Sequence, residues 1–111
     1  MKKVFIILLC CFCICGCNKT AEYKKLMAEN DYVIIDVRTK EEYEEEHIKD
    51  AINIPYEEIA DKINTTKDKM IFVYCYSGGR SKIAYDSLVA MGYTVYDLGG
   101  IAKIDLPKTT K

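Results

Sequence analysis

The stretch Met70-Ile71-Phe72-Val73-Tyr74-Cys75-Tyr76-Ser77-Gly78-Gly79-Arg80-Ser81 carries the clearest structural signal in this chain. Its first five residues form an unbroken apolar run, which predicts a buried β-strand. Gly78 and Gly79 let the backbone curl where the strand ends, and a helical pattern follows from Arg80. The sequence therefore predicts a strand, a tight loop that starts at Cys75 and a helix, which together would surround one sulfur atom with backbone N–H groups.

Strands alternate with helices along the rest of the sequence. A second apolar run at residues 32–37 is rich in β-branched side chains and also predicts a buried strand. Strands that are apolar on both faces are typical of a parallel sheet with helices on both sides. Helices are expected at 21–30, at 56–64 and at 80–91, and weaker strands at 51–54 and 93–98. Thr39 followed by Glu42 fits a capping box that would start a further short helix through Glu46. The polar tail at 107–111 is predicted to be frayed.

The N-terminus has the pattern of a secretory signal. Lys2 and Lys3 precede an apolar stretch at 4–15, which is well short of the ~20 residues that a membrane-spanning helix needs. The segment Ile14-Cys15-Gly16-Cys17 resembles a bacterial lipobox, and this resemblance implies cleavage before Cys17 and a lipid on its sulfur. The alternative is an uncleaved membrane anchor. The lipoprotein is favoured because a small residue and a cysteine stand where the apolar run ends.

Subtraction of the signal defines the folded part of the chain. The expected organisation is a signal peptide at 1–16 and one domain at 17–111, with its core at about 20–107. The remaining 95 residues are enough for a single domain. Without Lys2 and Lys3, 14 basic side chains stand against 17 acidic ones. This mild acidity gives no reason to expect a nucleic-acid partner.

Removal of the predicted signal changes what the number of cysteines implies. Four of the six cysteines lie within the predicted signal, and Cys17 is the predicted lipid site. Cys75 is then the one free thiol of the mature chain, so a disulfide within that chain is impossible. A lone cysteine in an exported protein is a candidate reactive thiol. The alternative is an inert buried cysteine, but the glycine-rich loop that follows Cys75 argues against it.

Three features of the loop favour the thiolate form of Cys75. The N–H groups after the strand cannot join the sheet, so they are free to point at the sulfur. The following helix directs the positive end of its dipole to the same place, and Arg80 and Lys82 add positive charge. We therefore predict that the pKa of Cys75 is lowered and that its thiolate is a nucleophile near neutral pH.

Short motifs in a fixed order support a resemblance to a known family. They are Ile35-Asp36-Val37-Arg38, Glu42-Tyr43, His47-Ile48, Ala51-Ile52-Asn53-Ile54-Pro55, the loop that starts at Cys75, and Gly99-Gly100-Ile101. On these motifs, nearly all of residues 20–107 resembles a single-domain rhodanese, a sulfurtransferase. The resemblance implies an α/β fold with a five-stranded parallel sheet and helices on both faces. It also implies a catalytic cysteine that cycles through a persulfide.

The resemblance also implies a reaction and a set of site residues. Cys75 would attack the outer sulfur of a donor such as thiosulfate, and a second thiophile would then take that sulfur in a ping-pong reaction. The donor and the charge of the persulfide would be held by Tyr76, Ser77, Gly78, Gly79, Arg80 and Ser81, with Arg38 as a further pocket residue. Ser81 is expected to act mainly as a helix N-terminal residue that holds the loop. Tyr76 would line the mouth of the pocket or simply be exposed.

Other polar residues of the motifs are interpreted as structural. Asp36 would brace the loops near the site, and His47, the single histidine of the chain, matches a family position that is usually structural. The acidic run at 41–46 is expected to be a solvated helix start. Two positions depart from the family pattern: Asp50 stands where glycine is frequent, and Ile104 stands where tryptophan is frequent. Neither departure touches the loop of Cys75.

Two competing functions remain open from the sequence. A phosphatase or arsenate reductase would have a His-Cys start and five residues between the cysteine and the arginine. Here Tyr74 precedes Cys75, and four residues separate Cys75 from Arg80, which suits a sulfur atom better than a phosphoryl group. The second competitor is a non-enzymatic module, either a lipid-anchored sulfur carrier or an interaction domain.

The expected partners follow from these predictions. They are a small anionic sulfur donor such as thiosulfate or a persulfide, a thiol acceptor and, through the lipid on Cys17, the bacterial cell membrane. No nucleic acid, metal or organic cofactor is expected, and the domain is expected to be a monomer. The expected location is extracytoplasmic, with the lipid as the anchor.

Overall fold

The computed structural model describes residues 19–111, so the predicted signal at 1–16 and the lipid site Cys17 lie outside the described residues. The helices are α1 (Lys19–Glu29), α2 (Lys40–Glu45), α3 (Ile59–Lys62) and α4 (Gly79–Ala90). The strands are β1 (Tyr32–Asp36), β2 (His47–Ile48), β3 (Ile52–Asn53), β4 (Met70–Cys75), β5 (Thr94–Gly100) and β6 (Lys108–Thr109). None of the helices in this part of the chain is both long and apolar enough to cross a membrane.

A parallel sheet with the strand order β3-β1-β4-β5 forms the centre of the domain. The α/β class is therefore confirmed, but the expected five strands are wrong in number, because this sheet has four strands within residues 19–111. The strands β2 and β6 instead pair antiparallel in a separate two-stranded sheet. Both of them have only two residues, which is too short for a period-two pattern to show in the sequence.

The alternation of side chains along β4 sends its residues into two separate cores. Ile71, Val73 and Cys75 face the core that α3 and α4 cover, whereas Phe72 and Tyr74 face the core that α1 and α2 cover. All five are buried. A central strand with helices over both faces must be apolar on both faces, which is why the run at residues 70–74 has no polar alternation.

The register of the strands determines which residues meet at the carboxyl edge of the sheet. Asp36 at the end of β1 lies opposite Tyr74. On the other side of β4, the pairing with β5 shifts by one residue between Val73 and Tyr74, so that Cys75 lies opposite Gly100. This irregularity in β5 places a glycine beside the last residue of β4.

Backbone pairing holds Lys108 and Thr109 in the C-terminal tail, so the prediction that the tail is frayed is wrong for these residues. The strand β6 runs antiparallel to β2, with Thr109 opposite His47. The N–H of Lys49 also donates a hydrogen bond of 2.8 Å to the carbonyl of Pro107. Because main-chain groups form this two-residue ladder, the polar side chains of the tail gave no indication of the pairing.

Both departures from the family pattern fit the fold. Asp50 has a φ of +71° and is the one non-glycine residue with positive φ in the described part of the chain. This conformation explains a preference for glycine at its position, although aspartate tolerates it better than most residues. Ile104 is buried in the core beside Ile101, so a smaller apolar side chain takes the expected place of tryptophan.

Candidate active site

The loop after β4 wraps around the sulfur of Cys75. Cys75 is the last residue of β4 and only 1% of it is exposed. Gly78 has a φ of +103°, a conformation that side chains disfavour, and it serves as the N-cap of α4. Its backbone N–H donates a hydrogen bond of 2.9 Å to Sγ of Cys75. The curl predicted from the two glycines is thus produced at Gly78, and it directs an N–H group at the sulfur.

Ser81 is the side chain that contacts the sulfur most directly. It lies fully buried in the first turn of α4, with its Oγ 3.4 Å from Sγ of Cys75 and 3.2 Å from the carbonyl oxygen of Gly78. Its single hydroxyl proton can go to either acceptor. When Cys75 is a thiol, the S–H donates to Ser81 and Ser81 donates to Gly78. When Cys75 is ionised, the Ser81 hydroxyl can turn and donate to the thiolate.

These contacts lower the pKa of Cys75. Burial is the largest single influence, and it raises the pKa because it disfavours the charged form. Hydrogen bonds from the Ser81 hydroxyl and from the backbone N–H groups of Ser81, Gly78 and Ser77 act in the opposite direction and together outweigh burial. The thiolate predicted from the sequence is therefore supported chiefly by hydrogen-bond donors. The positive end of the twelve-residue helix α4 acts in the same direction.

Gly100 supports the loop from the neighbouring strand. A Cβ placed on Gly100 would lie 2.6 Å from the carbonyl oxygen of Tyr76 and 3.3 Å from Cα of Ser77. The φ of Gly100 is −86°, which any residue can adopt. Gly100 is therefore needed for the close approach of the loop to β5 rather than for its own conformation.

Arg80 lies beside the sulfur loop but is held by a carboxylate. Its Nη1 and Nη2 donate to the two carboxylate oxygens of Glu42 at 2.7 and 3.1 Å, and both side chains are 30% exposed. The Glu42 contact is the main reason why the pKa of Arg80 is raised, and the charge of Cys75 adds to the shift. The other cation expected near the sulfur, Lys82, pairs with Asp86 at 2.8 Å on the exposed side of α4.

Glu42 is itself fixed at the start of α2. Its Oε1 accepts hydrogen bonds from the backbone N–H and the hydroxyl of Thr39, and Thr39 in turn accepts from the backbone N–H of Glu42. This is the capping box that the sequence predicted. The hydrogen bond from Arg80, helped by those from Thr39, lowers the pKa of Glu42 to about 2. The carboxylate is therefore charged at any working pH.

Arg38 belongs to a separate buried network on the other face of the sheet. Its Nε and Nη2 contact the carboxylate of Asp36 at 2.6–3.0 Å, and Nη2 also donates to the carbonyl of Glu46. The hydroxyl of Tyr74 donates to Asp36 at 2.8 Å and accepts from the N–H of Ile48 at 2.9 Å. Within residues 19–111, Arg38 makes no hydrogen bond to the sulfur loop, and its assignment to the pocket stays a prediction.

Two further predicted site residues, Tyr76 and Gly79, and His47, which was interpreted as structural, take different positions. Tyr76 is 64% exposed on the loop, and Gly79 is the first residue of α4, with open space where a Cβ would stand. His47 is buried away from the loop, stacked on Tyr43 at 3.7 Å between ring centroids, with its Nδ1 2.8 Å from the Tyr43 carbonyl. No group of three or more His, Cys, Asp or Glu residues within 19–111 is arranged to hold a metal ion.

Two residues of the site were not assigned to it from the sequence. Gly100 stood within the quoted Gly99-Gly100-Ile101 motif, and Glu42 stood within Glu42-Tyr43, but neither was connected with the sulfur. One local feature of the sequence did single out Glu42, because a carboxylate at the third position of a helix lies near the positive end of the helix dipole. The capping box fully explained this carboxylate, so the sequence did not indicate that Glu42 also pairs with Arg80, 38 residues away.

Comparison with known proteins gives a consistent result. A family described as "Rhodanese-like domain" matches residues 19–105. The thiosulfate sulfurtransferase PspE of Escherichia coli K12 is 44% identical over 78 residues, which cover 67% of this chain and 75% of that protein. The thiosulfate sulfurtransferase GlpE of Coxiella burnetii is 40% identical over 83 residues, which cover 68% of this chain and 73% of that protein.

Solved structures agree with the sequence relatives. A structure titled "rhodanese with anions from E. coli" has 39% identity and a TM-score of 0.69, and the match covers 72% of this chain and 99% of that one. A rhodanese-related protein from Thermoplasma volcanium has 29% identity and a TM-score of 0.71, with 83% and 95% covered. The chain, with its strand–cysteine loop–helix unit at the carboxyl edge of a parallel sheet, belongs to the rhodanese-like family.

Proposed function

We propose that this protein is a sulfurtransferase that moves sulfane sulfur through a persulfide on Cys75. The thiolate attacks the outer sulfur of thiosulfate, a new S–S bond forms, the S–S bond of the donor breaks, and sulfite leaves with the electron pair. A thiophilic acceptor then attacks the outer sulfur of the persulfide and regenerates the thiolate. With cyanide as acceptor the product is thiocyanate, and with a thiolate it is a new persulfide.

The observation that carries this proposal is the arrangement of donors around one buried sulfur. Gly78 donates a backbone hydrogen bond to Sγ at 2.9 Å, and the Ser81 hydroxyl lies at 3.4 Å. Backbone N–H groups in a loop and at a helix start are fixed donors, so they can stabilise a charge that moves from Sγ to the next sulfur atom without rearrangement. The names of the relatives PspE and GlpE support the same chemistry.

The test combines turnover with intact mass. The purified domain is expected to produce thiocyanate from thiosulfate and cyanide, and thiosulfate alone is expected to add the mass of one sulfur atom to the protein. Cys75→Ser should abolish both signals while leaving the circular dichroism spectrum unchanged. Absence of turnover together with absence of added sulfur on the wild-type protein would overturn the proposal.

A sulfur carrier is the second candidate, and the burial of Cys75 favours it. With 1% of Cys75 exposed, a bulky acceptor has little access to the sulfur until the loop opens. A carrier would gain one sulfur from thiosulfate but would release it to cyanide or a small thiol at a negligible rate. Rapid thiocyanate release from preloaded protein therefore supports the enzyme, and persistence of the loaded mass supports the carrier.

The phosphatase alternative is weakened by the position of Arg80. In the structure the two Nη groups of Arg80 that would clamp a phosphoryl group are held by Glu42. We expect no Cys75-dependent hydrolysis of an aryl phosphate. Robust turnover of such a substrate that is lost in Cys75→Ser would reverse this choice.

We also propose that the mature protein is a monomer anchored outside the cytoplasm by a lipid on Cys17. This proposal rests on the basic start, the apolar run and the Ile14-Cys15-Gly16-Cys17 sequence. A clickable palmitate analogue should label the full chain in bacterial cells, and Cys17→Ala should remove the label, whereas Cys13→Ala should retain it. Labelling that survives Cys17→Ala would contradict the lipid assignment. Light scattering of the purified domain tests the monomer.

A further inference from the structure

We propose that Glu42 is a specificity-determining residue that makes the site favour singly charged sulfur donors over the doubly charged thiosulfate ion. The favoured class would be alkyl thiosulfonates and alkyl persulfides, which carry one negative charge. This inference rests on the proposed function, because it concerns which donor loads Cys75. Glu42 would act through Arg80 and would not touch the reacting sulfur.

Arg80 and Glu42 form a bidentate ion pair next to the sulfur loop. Arg80 directly precedes Ser81, whose hydroxyl contacts the sulfur, and the charge of Cys75 contributes to the raised pKa of Arg80. Its two Nη groups are the fork that binds a planar or tetrahedral anion through two parallel hydrogen bonds. In this structure both are engaged with Glu42, at 2.7 and 3.1 Å. A donor must displace a carboxylate to use that fork.

Glu42 cannot easily turn away from Arg80. Its Oε1 accepts two further hydrogen bonds, from the backbone N–H of Thr39 at 3.0 Å and from the Thr39 hydroxyl at 3.1 Å. The carboxylate is thus anchored to the start of α2 and compensates the charge of Arg80 in place. Its low pKa, about 2, means that it stays ionised throughout the pH range of an assay.

Carboxylates compensate the positive charge of the loop side chains. Arg80 is neutralised by Glu42 and Lys82 by Asp86, so neither cation predicted for the loop is free. The positive potential around the sulfur then comes from N–H groups and the start of α4, which together resemble about half a unit charge. One negative charge on a donor can be accommodated there, whereas neither of the two loop cations, both within the described residues, is left unpaired for the second charge of thiosulfate.

The experiment compares two donors that differ in charge but share the same bond. Thiosulfate and methanethiosulfonate both deliver a sulfane sulfur by S–S cleavage, with sulfite or methanesulfinate as the leaving group. The measured quantity is kcat/KM for each donor with cyanide as acceptor. In Glu42→Gln the value for thiosulfate should rise about fivefold, the size of a partly exposed ion pair, and the value for methanethiosulfonate should change less than twofold.

The controls separate local from general effects. Gln is tolerated at the third position of a capping box, so Glu42→Gln keeps the start of α2. Glu45→Gln, an exposed position on the same helix, makes the same change in net charge and should leave the ratio of the two donors unaltered. Glu42→Asp keeps the charge and should also leave thiosulfate disfavoured.

Each outcome decides between the two proposals. Loading of the wild-type protein by both donors, with a ratio that Glu42→Gln does not alter, would overturn the role of Glu42 and leave the sulfurtransferase intact. Loading by neither donor would overturn the proposed function itself. If Glu42→Gln fails to fold, the salt dependence of the wild type replaces it. A steep loss of thiosulfate loading with added salt would reveal an uncompensated cation and contradict the inference.

Discussion

Tyr74 and Cys75 are neighbours in β4, yet they carry their polar groups into two different clusters on opposite faces of the sheet. The hydroxyl of Tyr74 enters a network with Asp36 and Arg38, which are 0% and 5% exposed. The sulfur of Cys75 points to the other face of the sheet, where its partners are the loop N–H groups and Ser81. One strand thus supplies two buried polar clusters from adjacent positions.

The two clusters differ in how much bonding capacity their polar atoms have left. Around Asp36, one carboxylate receives the backbone and side chain of Arg38 and the hydroxyl of Tyr74, so protein groups saturate its acceptors. Around Cys75, the donors converge on a single atom that can bond covalently to another sulfur. A closed network of this kind holds strands and loops together, whereas donors around a reactive atom prepare a reaction. The Asp36–Arg38 pair is therefore engaged with protein groups, whereas the sulfur of Cys75 keeps its capacity to form a covalent bond.

The largest effect is expected in the closed network. Asp36→Asn leaves the buried guanidinium of Arg38 without its counter-charge, which should lower the free energy of unfolding by about 3–5 kcal/mol. Tyr74→Phe removes one neutral partner and should lower it by about 1–3 kcal/mol. Urea unfolding of each variant provides the measurement. Sulfur loading of Cys75 per folded molecule should stay within about twofold of wild type, since neither group contacts the sulfur.

The same variants test the predicted pocket role of Arg38. If Arg38 contacts the donor, as the family resemblance implied, loss of the Asp36 carboxylate will free it and change KM for thiosulfate. If KM for thiosulfate is altered in Asp36→Asn, measured well below its unfolding transition, the network around Asp36 is not functionally separate from the cluster around Cys75. An unchanged KM would keep Arg38 as a structural residue.

A smaller effect is expected where β5 supports the reactive cluster. Gly100→Ala would place a methyl group 2.6 Å from the Tyr76 carbonyl, so the loop must move. A displacement near 1 Å of the donors around the sulfur should reduce kcat/KM by roughly 100-fold, while the stability loss should stay near 1–3 kcal/mol. Thiocyanate production and urea unfolding are to be measured on the same preparation. Wild-type activity in this variant would show that the loop does not depend on β5.

The smallest effect concerns the hydrogen bond from Ser81. Because this bond lowers the pKa of Cys75, Ser81→Ala should raise that pKa and move the pH profile of iodoacetamide alkylation to higher pH. The thiolate exists above the pKa, so below the shifted midpoint the variant should react more slowly, by about tenfold near neutral pH. Ser87→Ala, further along the same helix, is the matched control. An unmoved profile would assign the lowered pKa to the backbone alone.

Much of the fold could be predicted because its signals are local. The apolar runs of β1 and β4, the capping box at Thr39 and the glycines after Cys75 each act through neighbours in sequence, and the structure contains all of them. The short strands β2 and β6 were not predicted. Their pairing uses main-chain groups of segments some 60 residues apart, and such pairing leaves no pattern in two residues.

The candidate site divides in the same way. The position of Cys75, the curl at Gly78 and the helix start are consecutive in the chain, so the donors around the sulfur could be anticipated. The pairing of Arg80 with Glu42 joins a loop to a helix 38 residues earlier, and the approach of Gly100 to Tyr76 depends on a one-residue shift in the pairing of β4 with β5. Neither contact has a local cause.

The sequence by itself determined that a single cysteine would end a buried strand inside a ring of backbone donors, because strand, loop and helix start are contiguous and their preferences are short-ranged. Only the tertiary structure decided the charge around that sulfur. It neutralised Arg80 with Glu42, placed Arg38 in a closed network with Asp36 and left N–H groups as the principal support of the thiolate. The reason is that electrostatic partners are chosen by distance in space, and the packing of α2 against the sheet sets those distances.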